Sequence, residues 1–513
     1  MNIKPQLEKW KRIMGDFSIQ AQDKIFIYGT EDGAILIGDI LKEIGRFGQI
    51  EGFIDRDNSP KIGNDVLGKK ICRLQDCYRD VDVIIIGAYK SHVLIGERLE
   101  AFRQKNINSK FRIIDLFAHN TQEEELDFLH YWEKSILKEK SPDFIDFDNR
   151  SYIFTERDTK IIAWYLPQYH EMEINNKYLG RGFTEWTNTT RAIPLYKGHY
   201  QPHIPYDVGY YSLNNIETFI RQIELARHYG VYGFSFYYYW FSGKKFMEKP
   251  LQQFLSYPEL NINFCVTWAN ENWTTLWDGG QHEIIYQQEI AQGDAEKLVD
   301  DLLPVISDSR YITINGKPLL IIYRGNLFDK SIMLAFLSAM RQRVRNHGFK
   351  DLYIMITTAG NFDEEVTEWG ADALVEFPPH GMKAVEAFRP QGYINPYFVG
   401  KILDTEKFIA EKKYMYEHKA REYYRAALTS WDNTARKART GALVYHGLSP
   451  ITFKQWLWDI VVEGKKNHSG DYDMVFVNAW NEWAEGSHLE PDMKYGYAYL
   501  DAIKEVVEKS RDL

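Results

Sequence analysis

Cysteine is scarce in this chain of 513 residues, which contains only Cys72, Cys77 and Cys265. Three cysteines cannot form a framework of disulfides, and their spacing does not match the patterns of zinc-binding motifs. The cysteines therefore exclude a fold held together by several disulfide bonds. We expect neither a metal ion nor another cofactor.

Long apolar runs and an excess of positive charge are also absent. No run is long and apolar enough to cross a membrane, and the first residues, MNIKPQLEKWKRIMGD, contain no apolar signal core. The net charge of −10 disfavours a broad surface for nucleic acids. With 44% hydrophobic and 26% charged residues, the composition is that of a soluble globular protein. We therefore predict a cytoplasmic protein with no transmembrane segment and no nucleic-acid partner.

The first 118 residues alternate between short apolar strands and helices. The strand in KIFIY is followed by a turn with Gly29 and Gly33 and by an apolar-periodic helix, and later strands lie in IEGFIDRD, DVIIIGAY and FRIIDLF. This alternation predicts a doubly wound parallel sheet over residues 1–118. The segment resembles the small Rossmann-like domains attached to many polysaccharide-biosynthesis enzymes. Glu31 stands where the second glycine of a dinucleotide fingerprint would let a pyrophosphate approach. We therefore favour assembly or docking, for instance onto other polysaccharide-assembly enzymes, over nucleotide binding.

The rest of the chain changes character twice. Residues 119–157 are first charged and helical and then irregular, which predicts a linker helix and a domain boundary. Over residues 158–513, amphipathic helices alternate with eight candidate strands, in the segments IIAWYLPQY, YGFSFYYYWF, NFCVTWANENW, PLLIIYRG, LYIMITTAG, ADALVEF, AALTSWDN and MVFVNAWNEW. Eight strands with helical crossovers predict one (β/α)₈ barrel, and an open sheet of similar length is the alternative.

Polar and aromatic side chains are concentrated at the ends of these strands and in nearby loops. Active sites of such barrels are built from the loops at the carboxyl ends of the strands. Aromatic rings cover the C–H faces of a sugar, while amides and acids bind its hydroxyls. We therefore predict a carbohydrate-binding cleft whose substrate-binding residues are Tyr165, Gln168, His170, Glu185, Trp186, Tyr238, Trp240, Trp268, Asn270, Glu271, Asn272, Trp277, Arg324, Glu376, Trp431, Asp432, Asn478, Trp480 and Trp483.

Several of these segments also have a purely structural explanation. The aromatic run Tyr237–Tyr239 fits a β-strand as well as a cleft, because aromatic residues favour strands. His170, His199 and His203 lie in a loop-rich stretch without the spacing of metal ligands, which favours structural or surface roles. The acids in WANENW and NEWAEG follow apolar strands directly, and packing alone does not require them.

Seven motifs together resemble a known family. They are YLPQYH, GFTEW, QPHIPYDVGYYSL, YGFSFYYYWF, WANENW, WDN and NAWNEWAEG followed by LEPD, and they occur in this order over residues 158–500. In these motifs the chain resembles the WbsX group of bacterial proteins described as glycosyltransferases. That group carries a domain similar to glycoside hydrolase family 99, the endo-α-mannosidases. The resemblance implies a (β/α)₈ barrel, in agreement with the strand count.

The resemblance also implies two catalytic residues. The E-W-x-E motif of family 99 matches Glu482 to Glu485. Glu482 would take the proton from the sugar 2-hydroxyl, and the 2-oxygen would attack the anomeric carbon to form an epoxide-like intermediate. Glu485 would protonate the leaving oxygen and then activate the acceptor, so that configuration is retained without a covalent enzyme link. The hydrolase motif usually has histidine after the tryptophan, whereas this chain has Ala484.

Three functions remain open from the sequence. The first is an enzyme of bacterial surface-polysaccharide assembly (O-antigen or capsule) that cleaves or transfers an α-linked, mannose-like hexose. The second is an endo-acting glycoside hydrolase inside the cell, and the third is a glycan-binding barrel without activity. The missing signal core favours the first, and the intact glutamate pair argues against the third. The substrate would be an oligosaccharide or polysaccharide, and the donor a lipid-linked or free oligosaccharide.

Overall fold

A computed structural model of the chain describes residues 10–11, 14, 19–88, 91–106, 109–116, 122–136, 140–274, 284–383, 385–390, 394–395, 398–438 and 440–513. The chain divides into two compact units. The first ends at Phe128, and the second contains nearly all of the chain from Leu129 onward. The helix Gln122–Ile136 contains this division.

The first unit contains a six-stranded sheet, whose strands in chain order are Ile25–Tyr28, Ile50–Asp55, Asp65–Val66, Lys69–Arg73, Val83–Ile86 and Arg112–Asp115. In space the order is third, fourth, second, first, fifth, sixth, and the pairs are parallel except for the hairpin formed by the third and fourth strands. Its helices are Asp32–Glu43, Leu74–Cys77 and His92–Lys105, with a 3₁₀ turn at Phe47–Gln49.

Side chains of the two central strands alternate between two separate cores. Ile25 and Ile27 pack into one hydrophobic cluster, whereas Phe26 and Tyr28 pack into another. Because successive side chains of a strand point to opposite faces, the sheet is covered on both sides. This arrangement confirms the predicted doubly wound, Rossmann-like sheet.

Strand packing accounts for the glycine at the first turn. Gly29 has a φ of 127°, and a Cβ there would lie 3.2 Å from the carbonyl carbon of Gly87 at the end of a neighbouring strand. Glu31 is exposed just before the helix Asp32–Glu43 and lies 3.7 Å from the ammonium of Lys61. Gly29 is therefore needed for the close approach of two strand ends, whatever the domain binds.

The second unit is a closed parallel barrel. Its strands are β1 (Lys160–Tyr165), β2 (Gly233–Phe241), β3 (Asn263–Trp268), β4 (Lys317–Ile322), β5 (Tyr353–Thr357), β6 (Ala373–Val375), β7 (Tyr423–Tyr424 and Ala426–Leu428) and β8 (Met474–Asn478). Strand β7 is interrupted at Arg425: its first half pairs with β6 and its second half with β8. Strand β8 pairs with β1, which completes the ring. The eight predicted strands are therefore confirmed.

Helices form the outer layer of this barrel. They are Ile216–His228, Glu248–Leu255, Asp294–Ile306, Lys330–Asn346, Glu406–Ala410, Pro450–Asn467 and Ala498–Lys509. The helix after β7 shows how the sequence sets a helix start. Ser449 caps it in a capping box with Thr452, and Pro450 occupies the first turn, where a missing N–H costs nothing.

Short helices, 3₁₀ turns and short strands lie at the ends of the barrel. The helices are Glu173–Leu179, Glu185–Arg191 and Thr434–Lys437, and 3₁₀ turns lie at Gly325–Leu327, Ala359–Asn361, Val366–Trp369, Gly470–Tyr472 and Trp483–Glu485. Short strands lie at Lys244–Phe246, Trp273–Thr274, Ile284–Tyr286, Thr313–Ile314, Glu386–Ala387, Gly400–Asp404, Ala442–His446, Asn481–Glu482 and Ser487–His488. Among the helices in the described ranges, none has the length and hydropathy that crossing a bilayer requires.

Candidate active site

The loop after β8 forms a small hairpin that carries the glutamate pair. Strand Asn481–Glu482 pairs antiparallel with Ser487–His488, and the 3₁₀ turn Trp483–Glu485 joins them. Gly486 has a φ of 65°, and a Cβ there would lie 3.2 Å from the side chain of Asp432. The hairpin thus packs closely on the segment after β7, and both glutamates lie at the carboxyl ends of the strands.

A buried arginine joins three carboxylates at this hairpin. Arg436, in the short helix after β7, lies 2.8 Å from Glu185, 2.7 Å from Glu485 and 3.4 Å from Glu482. The side chains of Arg436, Glu185 and Glu482 are at most 8% exposed, whereas that of Glu485 is 18% exposed. One positive charge therefore faces three acids, of which Glu485 is the most open to solvent.

The two glutamates of the motif have different surroundings. Burial raises the pKa of Glu482 well above its ordinary value, and the charge of Glu485 adds to this effect, while Arg436 opposes it. A carboxylate with raised proton affinity is a better proton acceptor near neutral pH. The site therefore contains one buried carboxyl group with a raised pKa beside a more exposed one, and Arg436 contacts both.

Three tyrosines lie close to this pair. Burial raises the pKa of the phenols of Tyr237, Tyr239 and Tyr323, and the charges of Glu482 and Glu485 raise it further. Tyr237 and Tyr239 alternate along β2, and Tyr323 follows the end of β4. Neutral phenols of this kind can donate hydrogen bonds to hydroxyl or anomeric oxygens without adding charge.

The tryptophans of the motif anchor the hairpin instead of lining a cleft. The indole N–H groups of Trp480 and Trp483 donate to the buried carboxylate of Glu490 at 3.1 and 2.6 Å. Gln222 and Tyr211 donate to the same carboxylate at 2.6 and 3.0 Å. Burial raises the pKa of Glu490 to about 7, although these four hydrogen bonds oppose the shift.

Asp432 forms a second anchor on the other side of the hairpin. Its carboxylate contacts the imidazole of His199 at 2.6 Å and accepts from Gln201 at 2.9 Å and from Thr434. Its backbone N–H donates to the carbonyl of Glu485 at 2.7 Å. Burial opposes ionisation, but His199 and Thr434 outweigh it and hold the pKa of Asp432 at about 2. Asp432 thus fixes the backbone that carries Glu485.

A second group of predicted residues lies at the ends of β3 and β4. Asn270 exchanges two hydrogen bonds with the backbone of Arg324, at 2.8 and 2.7 Å. Glu271 forms an ion pair with Arg324, and their side chains are 21% and 27% exposed. The amide oxygen of Asn272 accepts from the backbone of Gln288 at 2.7 Å. Glu271 and Arg324 therefore present charged groups to solvent at the same end of the barrel as the glutamate pair.

The structure places three predicted residues on the opposite face of their strands. Trp240 donates to Asp301 in the helix layer at 2.9 Å, and Trp268 stacks on Phe336 of another outer helix. Tyr238 lies between residues that alternate to the inner side, and Asp301 acts on its phenol. Because strand side chains alternate with period two, Tyr237 and Tyr239 reach the glutamates in place of Tyr238 and Trp240. This corrects the sequence assignment for Tyr238, Trp240 and Trp268.

The remaining predicted residues lie around the barrel end in mainly structural contacts. Tyr165 donates to Gln222, Trp186 to the carbonyl of Tyr211, Asn478 to that of Pro378, and His170 contacts the carbonyl of Pro167. Glu376 accepts from Arg425 and the backbone of Ala426 and contacts His418. The Gln168 carbonyl accepts from Glu185, and Trp431 is buried. Trp277 lies outside the described residues.

Sequence reasoning missed four residues of the site. Tyr237 and Tyr239 lie in an aromatic run, and only the register of β2 in the folded barrel shows that these two tyrosines face inward. Glu490 lies in the quoted motif, but nothing local shows that four donors converge on it. Arg436 follows the WDN motif by three residues, and no signal in one sequence connects it with acids that are 46 to 251 positions away.

One cluster at this end of the barrel could hold a metal ion. Ligand atoms of His203, His488 and Asp492 lie within 4.8 Å of one another, and all three residues are buried. His488 also stacks on Trp483, with ring centroids 3.8 Å apart. The cluster therefore adjoins the glutamate hairpin without including either glutamate.

Residues 161–503 match the family described as "Glycosyltransferase WbsX", and the chain belongs to this family. It is 34% identical over 355 residues to "Uncharacterized protein WxcX" from two strains of Xanthomonas campestris pv. campestris. The match covers 69% of this chain and 50% of that protein, so the chain spans about half the length of these relatives. Family membership supports a carbohydrate-active enzyme.

Solved structures with a similar fold are more distant. A "Glycoside hydrolase-like protein" has a TM-score of 0.45 and 15% identity, covering 71% of this chain and 98% of that structure. The GH99 endo-alpha-mannosidase from Bacteroides thetaiotaomicron has a TM-score of 0.42 and 14% identity, covering 69% of this chain and 98% of that structure.

Proposed function

We propose that this chain cleaves or transfers an α-linked, mannose-like hexose with retention of configuration, and that Glu482 and Glu485 perform the chemistry. The observation that carries the proposal is the contact of both carboxylates with one buried guanidinium, that of Arg436. Two acids held by one cation are fixed relative to each other, and burial raises the pKa of Glu482.

In the first step, Glu482 accepts the proton of the sugar 2-hydroxyl. The 2-oxygen attacks the anomeric carbon as the bond to the leaving oxygen breaks, and a 1,2-anhydro sugar forms. The raised pKa makes the ionised carboxylate of Glu482 a stronger base, and the contact with Arg436 favours this ionised form. Tyr237, Tyr239 and Tyr323 are the neighbouring neutral donors available to the sugar oxygens.

In the same step, Glu485 donates a proton to the leaving oxygen. It then accepts a proton from the incoming acceptor hydroxyl or water, whose oxygen attacks the anomeric carbon from the opposite face. The bond between the anomeric carbon and the 2-oxygen breaks, and Glu482 returns its proton to the 2-oxygen. The greater exposure of Glu485 suits this role, because the leaving group and the acceptor must both reach it from solvent. Two inversions give net retention without a bond between sugar and enzyme.

We place this chemistry in the assembly of a bacterial surface polysaccharide, such as an O-antigen, lipopolysaccharide or capsule. Membership of a glycosyltransferase family supports transfer, with a lipid-linked or free oligosaccharide as donor. The Rossmann-like first unit would then dock onto other enzymes of that assembly. Hydrolysis is the competing outcome for the same glutamate pair.

The test is incubation with a panel of activated α-glycosides and oligosaccharide acceptors, with products identified by mass spectrometry. Transfer products support the proposal, free reducing sugar indicates a hydrolase, and no product with any donor indicates a binding barrel. The Glu482→Gln, Glu485→Gln double variant is the background control. A 2-deoxy donor processed as fast as its parent contradicts the anhydro intermediate, because it lacks the attacking oxygen.

A further inference from the structure

Two buried histidines and a buried aspartate meet beside the glutamate hairpin. His203 lies in the long segment between β1 and the helix Ile216–His228, His488 ends the second strand of the hairpin, and Asp492 follows the hairpin. His203 Nδ1 is 2.8 Å from His488 Nε2, and His488 Nε2 is 3.7 Å from an Asp492 carboxylate oxygen. All three residues are at most 3% exposed.

The hydrogen bonds around the cluster fix which atoms face one another. The carbonyl of Glu490 lies 2.9 Å from His488 Nδ1, so Nδ1 carries the proton and Nε2 presents its lone pair to the cluster. Asp492 Oδ1 accepts from the backbone N–H groups of Lys494 and Tyr495 at 2.8 and 2.6 Å. A carbonyl that orients a ligating imidazole is the usual outer contact of a metal-bound histidine.

Two buried polar atoms in the cluster form no hydrogen bond of good geometry, although their side chains are close enough to shift each other's pKa. One is Asp492 Oδ2, and the other is the hydroxyl oxygen of Tyr200. The Tyr200 ring packs against His203, with centroids 4.1 Å apart, and its phenol interacts electrostatically with Asp492. A buried carboxylate oxygen without a well-formed hydrogen bond destabilises the folded state, so such atoms call for an explanation.

We propose that His203 Nδ1, His488 Nε2 and Asp492 Oδ2 bind a divalent transition-metal ion of the Zn²⁺ type, with the Tyr200 hydroxyl beside the fourth position. Two imidazole nitrogens and one carboxylate oxygen form a donor set that suits such ions better than Mg²⁺ or Ca²⁺. In a tetrahedral zinc site the ligand atoms lie about 3.3 Å apart, since each bond is about 2.0 Å. The separations of 2.8 and 3.7 Å lie on either side of that value.

The position of the cluster indicates a structural role for the ion. It would join the segment after β1 to the loop after β8, two parts of the chain 285 residues apart. His488 stacks on Trp483, the residue after Glu482. An ion bound to His488 would therefore restrict the position of the hairpin. Neither glutamate is a ligand, and the ion would take no direct part in the chemistry.

The test uses the full chain, stripped with a chelator and then loaded with Zn²⁺ or Co²⁺ and desalted. We expect about one equivalent of metal per chain by mass spectrometry, a raised melting temperature on loading, and the visible absorption of tetrahedral Co²⁺. Asp492→Asn and His203→Gln should each lose stoichiometric binding. His468→Gln, at the end of the helix Pro450–Asn467 and outside the cluster, is the matched control and should bind like the parent chain.

Two results would overturn the proposal. One is a parent chain that retains no more metal than buffer after desalting, which would leave only a hydrogen-bonded histidine pair beside the hairpin. The other is Asp492→Asn binding Zn²⁺ with the parent's stoichiometry and affinity, which would place the metal elsewhere. If a variant does not fold, the Co²⁺ spectrum of the parent chain still decides, because a solvated surface ion is octahedral and absorbs weakly.

Discussion

Replacement of Arg436 by methionine tests the electrostatic account of the active site most directly. The guanidinium is the shared partner of Glu185, Glu482 and Glu485, and Arg436 is 7% exposed. Methionine fills much of the same volume without charge. The variant therefore leaves three neighbouring carboxylates in a largely buried space without their cation.

The cost follows from the proton affinity of the acids. A carboxylate without its cation can become neutral, and holding a glutamate neutral at pH 7 costs about 3.7 kcal/mol, because its ordinary pKa lies about 2.7 units lower. Glu185 is 2% exposed and should approach this limit. Glu485 costs less because of its exposure, and Glu482 adds little because its pKa is already raised. Burial of the methionine returns about 1.5–3 kcal/mol. We expect the free energy of unfolding at neutral pH to fall by about 2–4 kcal/mol.

The sign of the pH dependence is the sharper part of this prediction. In the variant the pKa of the glutamates that have lost Arg436 is raised above the unfolded value, so the folded state binds extra protons. The loss of stability should therefore be largest at and above neutral pH and should largely disappear as the pH falls towards the unfolded pKa of about 4.3. Denaturant unfolding of both proteins at about pH 5 and about pH 7.5 measures this difference.

Arg310→Met is the matched control. Arg310 is 9% exposed, lies near the amino ends of β3 and β4, and donates to Asp308 and to the carbonyls of Phe254, Tyr257 and Leu260. Its loss leaves mainly uncharged acceptors unpaired, so most of its deficit should not depend on pH. Activity on the activated glycosides should fall by about 10²-fold or more in Arg436→Met and stay near the parent value in folded Arg310→Met. Equal pH dependence in the two variants, or near-parent activity of Arg436→Met, would refute the reasoning.

Four further predictions concern the hairpin and the first unit. Glu485→Gln should react slowly with donors that have poor leaving groups, but its first step should be nearly as fast as in the parent chain with a very good leaving group. Glu482→Gln should be slower by about 10²–10⁴-fold with every donor. Near-native rates for both variants would disprove the assignment. Glu490 has a folded pKa of about 7 against 4.5 unfolded, so it lowers the free energy of unfolding by about 3 kcal/mol as the pH rises through this window. Glu490→Gln should therefore flatten this part of the plot of unfolding free energy against pH. Parallel plots for the variant and the parent chain would contradict this. Ala484 is fully buried in a cluster of three alanines, so Ala484→His should lower the free energy of unfolding by about 1–3 kcal/mol or more. The substitution should not give the chain hydrolase activity. An unchanged melting temperature would show that the space around Ala484 can widen to accept the larger side chain. Calorimetric titration of the chain with NAD should show no saturable binding, and binding that is lost when the Gly29 turn is changed would overturn this.

Local sequence patterns determined the architecture. Eight apolar segments that alternate with amphipathic helices predict parallel strands buried on both faces, and the pairing of β8 with β1 decides for a barrel over an open sheet. The same reasoning predicted the doubly wound sheet, in which Ile25, Phe26, Ile27 and Tyr28 alternate between two cores. The acids Glu482 and Glu485 were also identifiable, because they follow a strand whose end faces the barrel mouth.

Tertiary structure alone decided which side chains meet. The face on which an aromatic residue lies depends on strand register, so Tyr237 and Tyr239 reach the glutamates while Tyr238 and Trp240 pack outward. Contacts between distant segments leave no periodic signal in the sequence: Arg436 finds Glu185 across 251 positions, and His203 finds His488 across 285. The proton affinities of the acids are also set by these contacts, because burial and neighbouring charge exist only in the folded chain.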